Sequence, residues 1–320
     1  MVDGMPGKKK VALITGIMGQ DGFYLAKILV SKNFSVYGTS RYKRLKLKLD
    51  NNTFIKVIQT NYSKKSLEKI LNDLKPDFLY NLAGQSYVSK SWELLDEILA
   101  SQGILVSNIL AASEKISPST KILNMTSSEI FDHSGKQPFN ENSARKPHNP
   151  YGCAQILGQN LVEVSRKTKG IWAANSILFP HESERRAPDF LFPKIINQAN
   201  NIYHNKQKLL KIGNLNVERD WSFAPIVMEG VFKQSLLKDP IDFCFCSNKL
   251  LSVKQLIERT FSNLGMNYKN YIKIDNSLVR NYEPKISFGD YKKAKLLLGW
   301  EPKLNGLDIV DLLLKKANSQ

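Results

Sequence analysis

The stretch VALITGIMGQDG at residues 11–22 determines the fold class of this 320-residue chain. Its first five residues are apolar or β-branched and predict a buried strand, and the glycines that follow stand where a helix-period segment begins. Glycines at this spacing let the backbone approach a pyrophosphate, while the helix N-terminus presents N–H groups and a partial positive charge. The strand–turn–helix context favours a dinucleotide-binding loop with Gly16, Gly19 and Gly22 over a purely structural turn.

Strand-like runs alternate with helix-period segments through the first half of the chain. The predicted strands cover residues 11–15, 35–40, 54–59, 78–83, 121–128 and 171–179. This alternation predicts an α/β fold, a doubly wound parallel sheet with helices on both faces. Charged and proline-containing segments follow and suggest a smaller lobe that binds substrate. We predict a dinucleotide-binding domain at residues 1–179 and a substrate lobe at 180–320, with a late strand and helix near 241–265 returning to the first domain.

The composition is that of an ordinary globular protein, 42% hydrophobic and 23% charged. No uninterrupted apolar run approaches the ~20 residues of a membrane span, and the N-terminus lacks a signal-peptide pattern, so we expect a cytoplasmic protein without a membrane partner. Cys153 falls in a helix pattern, and Cys244 and Cys246 alternate along a strand. Their spacing indicates neither disulfides nor a metal site, and we expect all three to be buried as small apolar residues.

The formal net charge of +17 raises the possibility of nucleic-acid binding. Most of the excess is scattered lysine, which is typical of solvated helix faces, so we expect no nucleic-acid partner. The basic cluster that begins at Arg41 differs because it follows the second strand, where an Asp or Glu would hold the ribose 2′-hydroxyl of NAD. We predict that Arg41 pairs with a 2′-phosphate, which favours NADP over NAD. Lys43 and Arg44 either assist or form a solvated basic loop.

Three side chains, which carry a hydroxyl, a carboxylate and a phenol, suggest which kind of reaction the protein catalyses. Ser127 and Glu129 come at the end of a predicted strand, and Tyr151 starts a helix. Hydride transfer from a sugar alcohol followed by loss of water would use these three groups: the phenolate removes the hydroxyl proton, the serine orients it, and the carboxylate takes the proton beside the new carbonyl. Each residue alone would be unremarkable.

Several motifs together resemble one family closely. They are KKVALITGIMGQDGFYLA, KPDFLYNLAGQSYVSKSWE, TSSEIF, NPYGCAQ, ILFPHESERR, GNLNVERDW and GDYKKAKLLLGWEP. They span nearly the whole chain, which resembles the extended short-chain dehydrogenase/reductases and, among them, most closely the GDP-mannose 4,6-dehydratases. The resemblance implies a Rossmann fold and a reaction without net redox: C4 of the sugar is oxidised through bound NADP, water leaves across C5 and C6, and the hydride returns to C6.

The resemblance also implies roles for single residues. Ser127 stands where the family has Thr, Glu129 would be the acid/base of the elimination, and Tyr151 the base of the oxidation. Besides the glycines, the implied cofactor contacts are Gln20, Asp21, Asn61, Tyr62, Leu82, Ala83, Gln85, Ser86, Tyr151, Gln155, His181 and Arg186. The implied contacts to the GDP-sugar are Lys194, Arg219, Arg280 and Glu283, because guanidinium groups suit a diphosphate. No metal is implied.

Gln155 is the departure from the family that matters most. The family has Lys four residues after the Tyr, where it binds the nicotinamide ribose and lowers the pKa of the Tyr by its charge. Gln can keep a hydrogen bond to ribose but carries no charge. We therefore expect the pKa of Tyr151 to stay nearer its ordinary ~10 and proton transfer to be slower by roughly 10²- to 10⁴-fold.

Three further departures bear on the sugar and on assembly. The connection after Arg41 is short, so a homo-oligomer could be a dimer or a tetramer of another kind. Pro180 replaces an Asn, and Tyr87 replaces a His, so the sugar pocket could accept another sugar. Three hypotheses stay open: a 4,6-dehydratase with GDP-mannose as substrate, a related reductase or epimerase acting on a GDP-sugar, and a non-catalytic protein that binds NADP and a GDP-sugar.

Overall fold

The computed structural model describes residues 9–43, 46–279 and 283–317. The chain forms two compact units, each assembled from separate stretches of sequence. The first unit runs as far as Ser127 and adds Asn149–Ser176 and Val231–Asp242. The second contains Ser128–His148, Ile177–Gly230 and the chain from Phe243 onwards.

A parallel sheet forms the centre of the first unit. Its strands are β1 (Val11–Thr15), β2 (Ser35–Ser40), β3 (Lys46–Lys48), β4 (Phe54–Gln59), β5 (Phe78–Asn81), β6 (Lys121–Ser127) and β7 (Ala173–Leu178). These seven strands lie in the order β7-β6-β5-β1-β2-β4-β3 within a sheet of eight. The pairs β1–β2, β1–β5, β5–β6 and β2–β4 are parallel. This confirms the predicted fold class. The short edge strand β3, antiparallel to β4, was not predicted.

The α-helices of the first unit include a long one whose start is fixed by its capping residues. They are α1 (Gln20–Ser31), α2 (Lys64–Leu74), α3 (Leu95–Leu99), α4 (Leu105–Ile116) and α5 (Pro150–Lys169). The side chain of Asn149 accepts a hydrogen bond from the Gly152 N–H, and Pro150 occupies the first turn of α5, which fixes the start of that helix. Tyr151 therefore lies in the first turn of α5.

A π-helical turn, Ala100–Ile104, joins α3 to α4. Among the described residues, the resulting segment Leu95–Ile116 is the one helical stretch that is long and apolar enough to cross a membrane. Leu105, Val106, Ile109 and Leu110 of this segment are buried in the core of the first unit.

The second unit contains shorter strands and a separate core. The elements that follow β7 are β8 (His181–Glu182), α6 (Leu191–Tyr203), β9 (Leu210–Ile212), β10 (Glu218–Asp220), β11 (Ser222–Phe223), α7 (Ala224–Ser235), β12 (Phe243–Phe245), β13 (Leu250–Ser252), α8 (Val253–Asn263), β14 (Ile272–Ile274), β15 (Ile286–Ser287), α9 (Lys292–Leu298) and α10 (Gly306–Ala317). Phe192, Leu256, Phe261 and Val310 are core residues where α6, α8 and α10 pack together. Strand β10 lies between β13 and β15.

The cysteines divide into two groups. Cys244 and Cys246 are buried in and beside β12, as expected. The prediction was wrong for Cys153, which is exposed. The buried face of α5 follows Tyr151, Ala154, Gln155 and Gly158, and position 153 points away from that stripe.

Candidate active site

The glycine loop has the geometry that its sequence predicts. Gly16 has φ +66°, and a Cβ there would lie 2.7 Å from the Cα of Ala83, so only glycine fits. The Gly19 N–H donates to the Gly16 carbonyl at 3.0 Å, and Gly19 is the N-cap of α1. Since glycine has no side chain to cover the helix start, the loop suits an anionic group such as a pyrophosphate. The side chains of Gln20 and Asp21, which follow, hydrogen-bond to each other at 3.2 Å.

Tyr62 lies beneath this loop and is buried. Its hydroxyl accepts a hydrogen bond from the Gly16 N–H at 3.3 Å and lies 3.0 Å from Oγ1 of Thr39. Burial raises the pKa of Tyr62 above its usual range. The phenol therefore connects the loop to β2. Asn61 is exposed, and its side-chain oxygen accepts from the Ser63 N–H at 3.0 Å, at the start of α2.

Residues 82–86, the segment implied to line the nicotinamide ribose, are held by side chains from two directions. Oγ1 of Thr15 accepts from the N–H groups of Leu82 and Ala83, at 3.2 and 3.1 Å. Oγ of Ser101 accepts from the Gln85 N–H at 3.3 Å, and the amide of Gln102 donates to the Gln85 carbonyl at 3.1 Å. Ser101 and Gln102 lie in the π-helical turn, a kind of irregularity that often occurs at functional sites. The Ser86 carbonyl accepts from the N–H of Val88 at 3.1 Å.

The departure at Gln155 has a definite geometry. Tyr151 and Gln155 are both buried, one helical turn apart on α5. The Gln155 amide donates to the Tyr151 hydroxyl at 2.8 Å. Tyr151 packs with Ile98 and Ala154, and Ser127 is the last residue of β6. The phenol thus has a neutral hydrogen-bond donor where the family has a cation.

Glu129 lies just past β6, in a 3₁₀ turn of the second unit. Nε2 of His148 is 3.4 Å from Oε2 of Glu129, and the rings of His148 and His133 are 4.8 Å apart and nearly perpendicular. Neither histidine was singled out from the sequence. The available signal was the position of His148, three residues before Tyr151.

Arg41, the residue chosen for the 2′-phosphate, is exposed just after β2. The Gln59 side chain donates to its carbonyl at 3.4 Å. Lys43 is exposed as well, and Arg44 lies outside the described residues.

Two of the implied cofactor contacts belong to the second unit. His181 is buried in β8, with Nδ1 2.7 Å from the Phe179 carbonyl. The Arg186 guanidinium lies 3.8 Å from Oε2 of Glu182 and 3.8 Å from the ring centroid of Phe190.

The implied substrate contacts are partly brought together. Arg219 on β10 and Glu283 form an ion pair at 3.5 Å. Lys194 is half-buried on α6, and Arg280 lies outside the described residues. Next to Arg219, the buried carboxylate of Asp220 accepts from the backbone N–H groups of Ser247, Asn248 and Gly289 and from the Ser247 hydroxyl. Burial nevertheless raises the pKa of Asp220 to about 6.

Comparison with known proteins identifies the family. A sequence model described as GDP-mannose 4,6 dehydratase matches residues 13–312. The chain belongs to this family. GDP-mannose 4,6 dehydratase 1 of Arabidopsis thaliana is 31% identical over 322 residues, which cover 96% of this chain and 89% of the relative. The resemblance inferred from the motifs is confirmed, and the chain is an enzyme of the lyase class.

Solved structures show the same fold. UDP-glucose 4-epimerase of Thermotoga maritima, crystallised with UDP-glucose, has a TM-score of 0.84 at 19% identity and covers 96% of this chain and 99% of its own. The protein RMD of Pseudomonas aeruginosa, complexed with NADPH, has a TM-score of 0.81 at 19% identity and covers 97% and 99%. At these identities the likeness concerns the fold alone.

Proposed function

We propose that this protein converts GDP-mannose to GDP-4-keto-6-deoxymannose, with NADP as a cofactor that is not consumed. The observation that carries the proposal is the family match over residues 13–312, in a chain that has Glu129 just after β6 and a buried Tyr151 at the start of α5.

The choice of NADP rests on charge. The chain has no carboxylate directly after β2, where one would hold a ribose 2′-hydroxyl, and it has Arg41 there instead. A guanidinium suits a 2′-phosphate because it can donate two parallel hydrogen bonds. The narrow turn at Gly16 and the glycine N-cap of α1 support a pyrophosphate at the loop.

Tyr151 and Ser127 would act in the oxidation. When bound, the nicotinamide would supply the hydride acceptor for the oxidation at C4 and the hydride donor for C6. Tyr151 takes the proton of the C4 hydroxyl, and Ser127 orients that hydroxyl. Gln155 keeps the phenol in place through its 2.8 Å hydrogen bond but adds no positive charge. The oxidation is therefore the step that we expect to limit turnover.

Glu129 would act in the elimination. The new C4 ketone acidifies the proton at C5, which Glu129 removes while the C6 hydroxyl leaves as water. Arg219 and Glu283, already paired at 3.5 Å, are proposed to contact the GDP part together with Lys194 and Arg280.

We further propose that the enzyme works in the cytoplasm as a homo-oligomer, a dimer or a tetramer, without a nucleic-acid or membrane partner. Support for the oligomer comes from apolar side chains that are exposed on the π-helical turn and on α5: Ile104, Leu157 and Val164. Exposed apolar groups that recur along neighbouring helices are typical of surfaces that pair.

Mass spectrometry of the sugar nucleotide tests the proposal. Purified protein is incubated with GDP-mannose and catalytic NADP, and in parallel with NAD. We expect loss of one water from the sugar nucleotide without consumption of NADP, and slower loss with NAD. No product despite tight binding of NADP and GDP in calorimetry would favour the non-catalytic alternative that Gln155 suggests. A reduced or epimerised GDP-sugar would favour the reductase or epimerase.

A further inference from the structure

The cluster around Glu129 contains two histidines for which the proposed steps give no role. Nε2 of His148 lies 3.4 Å from Oε2 of Glu129, and the side chains of the two residues are 24% and 19% exposed. The ring of His133 stands against that of His148 at 4.8 Å, with the planes at 83°. A titratable group therefore touches the carboxylate that must move a proton.

The imidazole of His133, which packs against this pair, is neutral, and both of its ring nitrogens are hydrogen-bonded. Its Nδ1 lies 3.1 Å from the Phe131 carbonyl, which can only accept, so Nδ1 carries the hydrogen. Its Nε2 then accepts from the Ser287 hydroxyl at 3.0 Å. Burial lowers the pKa of His133 to about 4, Glu129 opposes this shift, and His148 and Arg219 reinforce it. With both ring nitrogens engaged, His133 offers His148 no site for a proton.

The proton balance of the proposed reaction needs a second donor on this side of the sugar. Glu129 takes one proton when the C5–H bond breaks, and the electron pair forms the C5–C6 double bond as the C6–O bond breaks. Glu129 gives that proton to the leaving hydroxyl, which departs as water. C5 then needs a proton when the hydride arrives at C6. The proton from the C4 hydroxyl is on Tyr151 and returns to solvent.

We propose that His148 is a positioning residue for Glu129: its imidazole holds the carboxylate and passes to it, from solvent, the proton that returns to C5. This inference rests on the proposed dehydratase function and assigns its second proton. The partial exposure of His148 provides the contact with solvent. The charged and titratable groups that act on His133 include Glu129, His148 and Arg219, and Arg219 is paired with Glu283.

Kinetics of His148→Gln and His148→Ala test the assignment, with His204→Gln as the matched control. His204 is exposed at the C-terminal end of α6, and its ring lies edge-on to that of Tyr203. We expect His148→Gln to lower kcat about 10- to 100-fold with KM unchanged, and to remove one ionisation from the pH profile of kcat. Added imidazole should restore His148→Ala but not Glu129→Gln, while His204→Gln should match the wild type.

The outcomes separate the two proposals. An active wild type with a His148→Gln variant of equal kcat and equal pH profile would overturn the role of His148 alone. A wild type that yields no product from GDP-mannose overturns the proposed function and the role of His148 with it. Proton NMR of the four histidines checks the contact without activity. Glu129→Gln should move the ring resonances of His148 and leave those of His204, and unmoved His148 resonances would contradict the contact.

Discussion

The two units differ in the side chain that contacts their proposed proton-transfer group: it is a neutral amide in the first unit and a titratable imidazole in the second. In the first, Tyr151 accepts a hydrogen bond from Gln155, a neutral amide that cannot titrate. In the second, Glu129 lies against His148, which can titrate, with His133 behind it. The difference suggests that the oxidation runs with a weakly activated base, whereas the elimination has a partner that supplies protons.

The largest expected effects separate the two steps. Tyr151→Phe removes the base of the oxidation, and Glu129→Gln removes the base of the elimination, so each should lower turnover by about 10³-fold or more. Only Glu129→Gln should still form reduced cofactor from GDP-mannose, because its oxidation step is intact. Stopped-flow absorbance of the reduced nicotinamide, with one equivalent of cofactor, measures this.

Glu163→Gln, on the exposed side of α5, serves as the control for the charge change and should match the wild type. Reduced cofactor in Tyr151→Phe, or its absence in Glu129→Gln, would assign the two residues to the wrong steps and remove the proposed contrast between the units.

A smaller effect is expected from replacing the neutral partner of Tyr151. Gln155→Lys supplies the missing positive charge, which favours the phenolate. We expect turnover to rise about 10- to 100-fold and the pH optimum to move downward. Steady-state rates over a pH series measure both changes. Asn160→Lys adds the same charge at an exposed position of α5 and is the matched control.

Gln155→Met keeps the approximate shape and removes the amide donor, so it should lower turnover further. Equal kinetics of Gln155→Lys and wild type would show that the charge at this position does not limit the reaction. The neutral pair Tyr151–Gln155 would then be no weaker in proton transfer than the titratable pair Glu129–His148.

Whether a feature of the fold or of the candidate site could be predicted from the sequence depends on whether its contacts are local in the chain. The glycine loop, the strands of the parallel sheet and the pair Tyr151–Gln155 depend on spacing along single elements, so the sequence pattern predicted them. The edge strand β3 covers only Lys46–Lys48, too few residues for a period-2 pattern to be recognised. Cys153 was misjudged because its residue type favours burial, whereas its position on α5 decides exposure.

The cluster around Glu129 was not visible for a different reason. His148 reaches Glu129 across 19 positions of irregular chain, and His133 meets Ser287 across 154. Contacts between loops leave no periodicity in the sequence. The hydroxyl of Tyr62 on the Gly16 N–H is a similar case, because the resemblance assigned Tyr62 to the adenine and gave no sign of a bond to the loop itself.

The smallest expected effect concerns the stability of the second unit in acid. His133, with its pKa lowered to about 4, contributes stability that is present above its ordinary pKa and is lost as the pH falls through about 4. Asp220, with its pKa raised to about 6, contributes stability that is present below its ordinary pKa and is lost as the pH rises through about 6. Between roughly pH 4 and 6 the two contributions oppose each other.

Removing either side chain should therefore reveal the pH dependence of stability that the other contributes. We expect His133→Asn to reduce the loss of unfolding free energy on acidification by on the order of 2 kcal/mol, a value that allows for the partial exposure of His133. Asp220→Asn should steepen that loss by a similar or slightly larger amount, since the wild-type carboxylate takes up a proton in the folded state over this range. Urea unfolding at a series of pH values gives both slopes relative to wild type. Because His204 is exposed, His204→Gln should change neither slope. Parallel curves for the wild type and the three variants would mean that protonation of the second unit is not coupled to its folding. The contrast with the first unit would then be confined to catalysis.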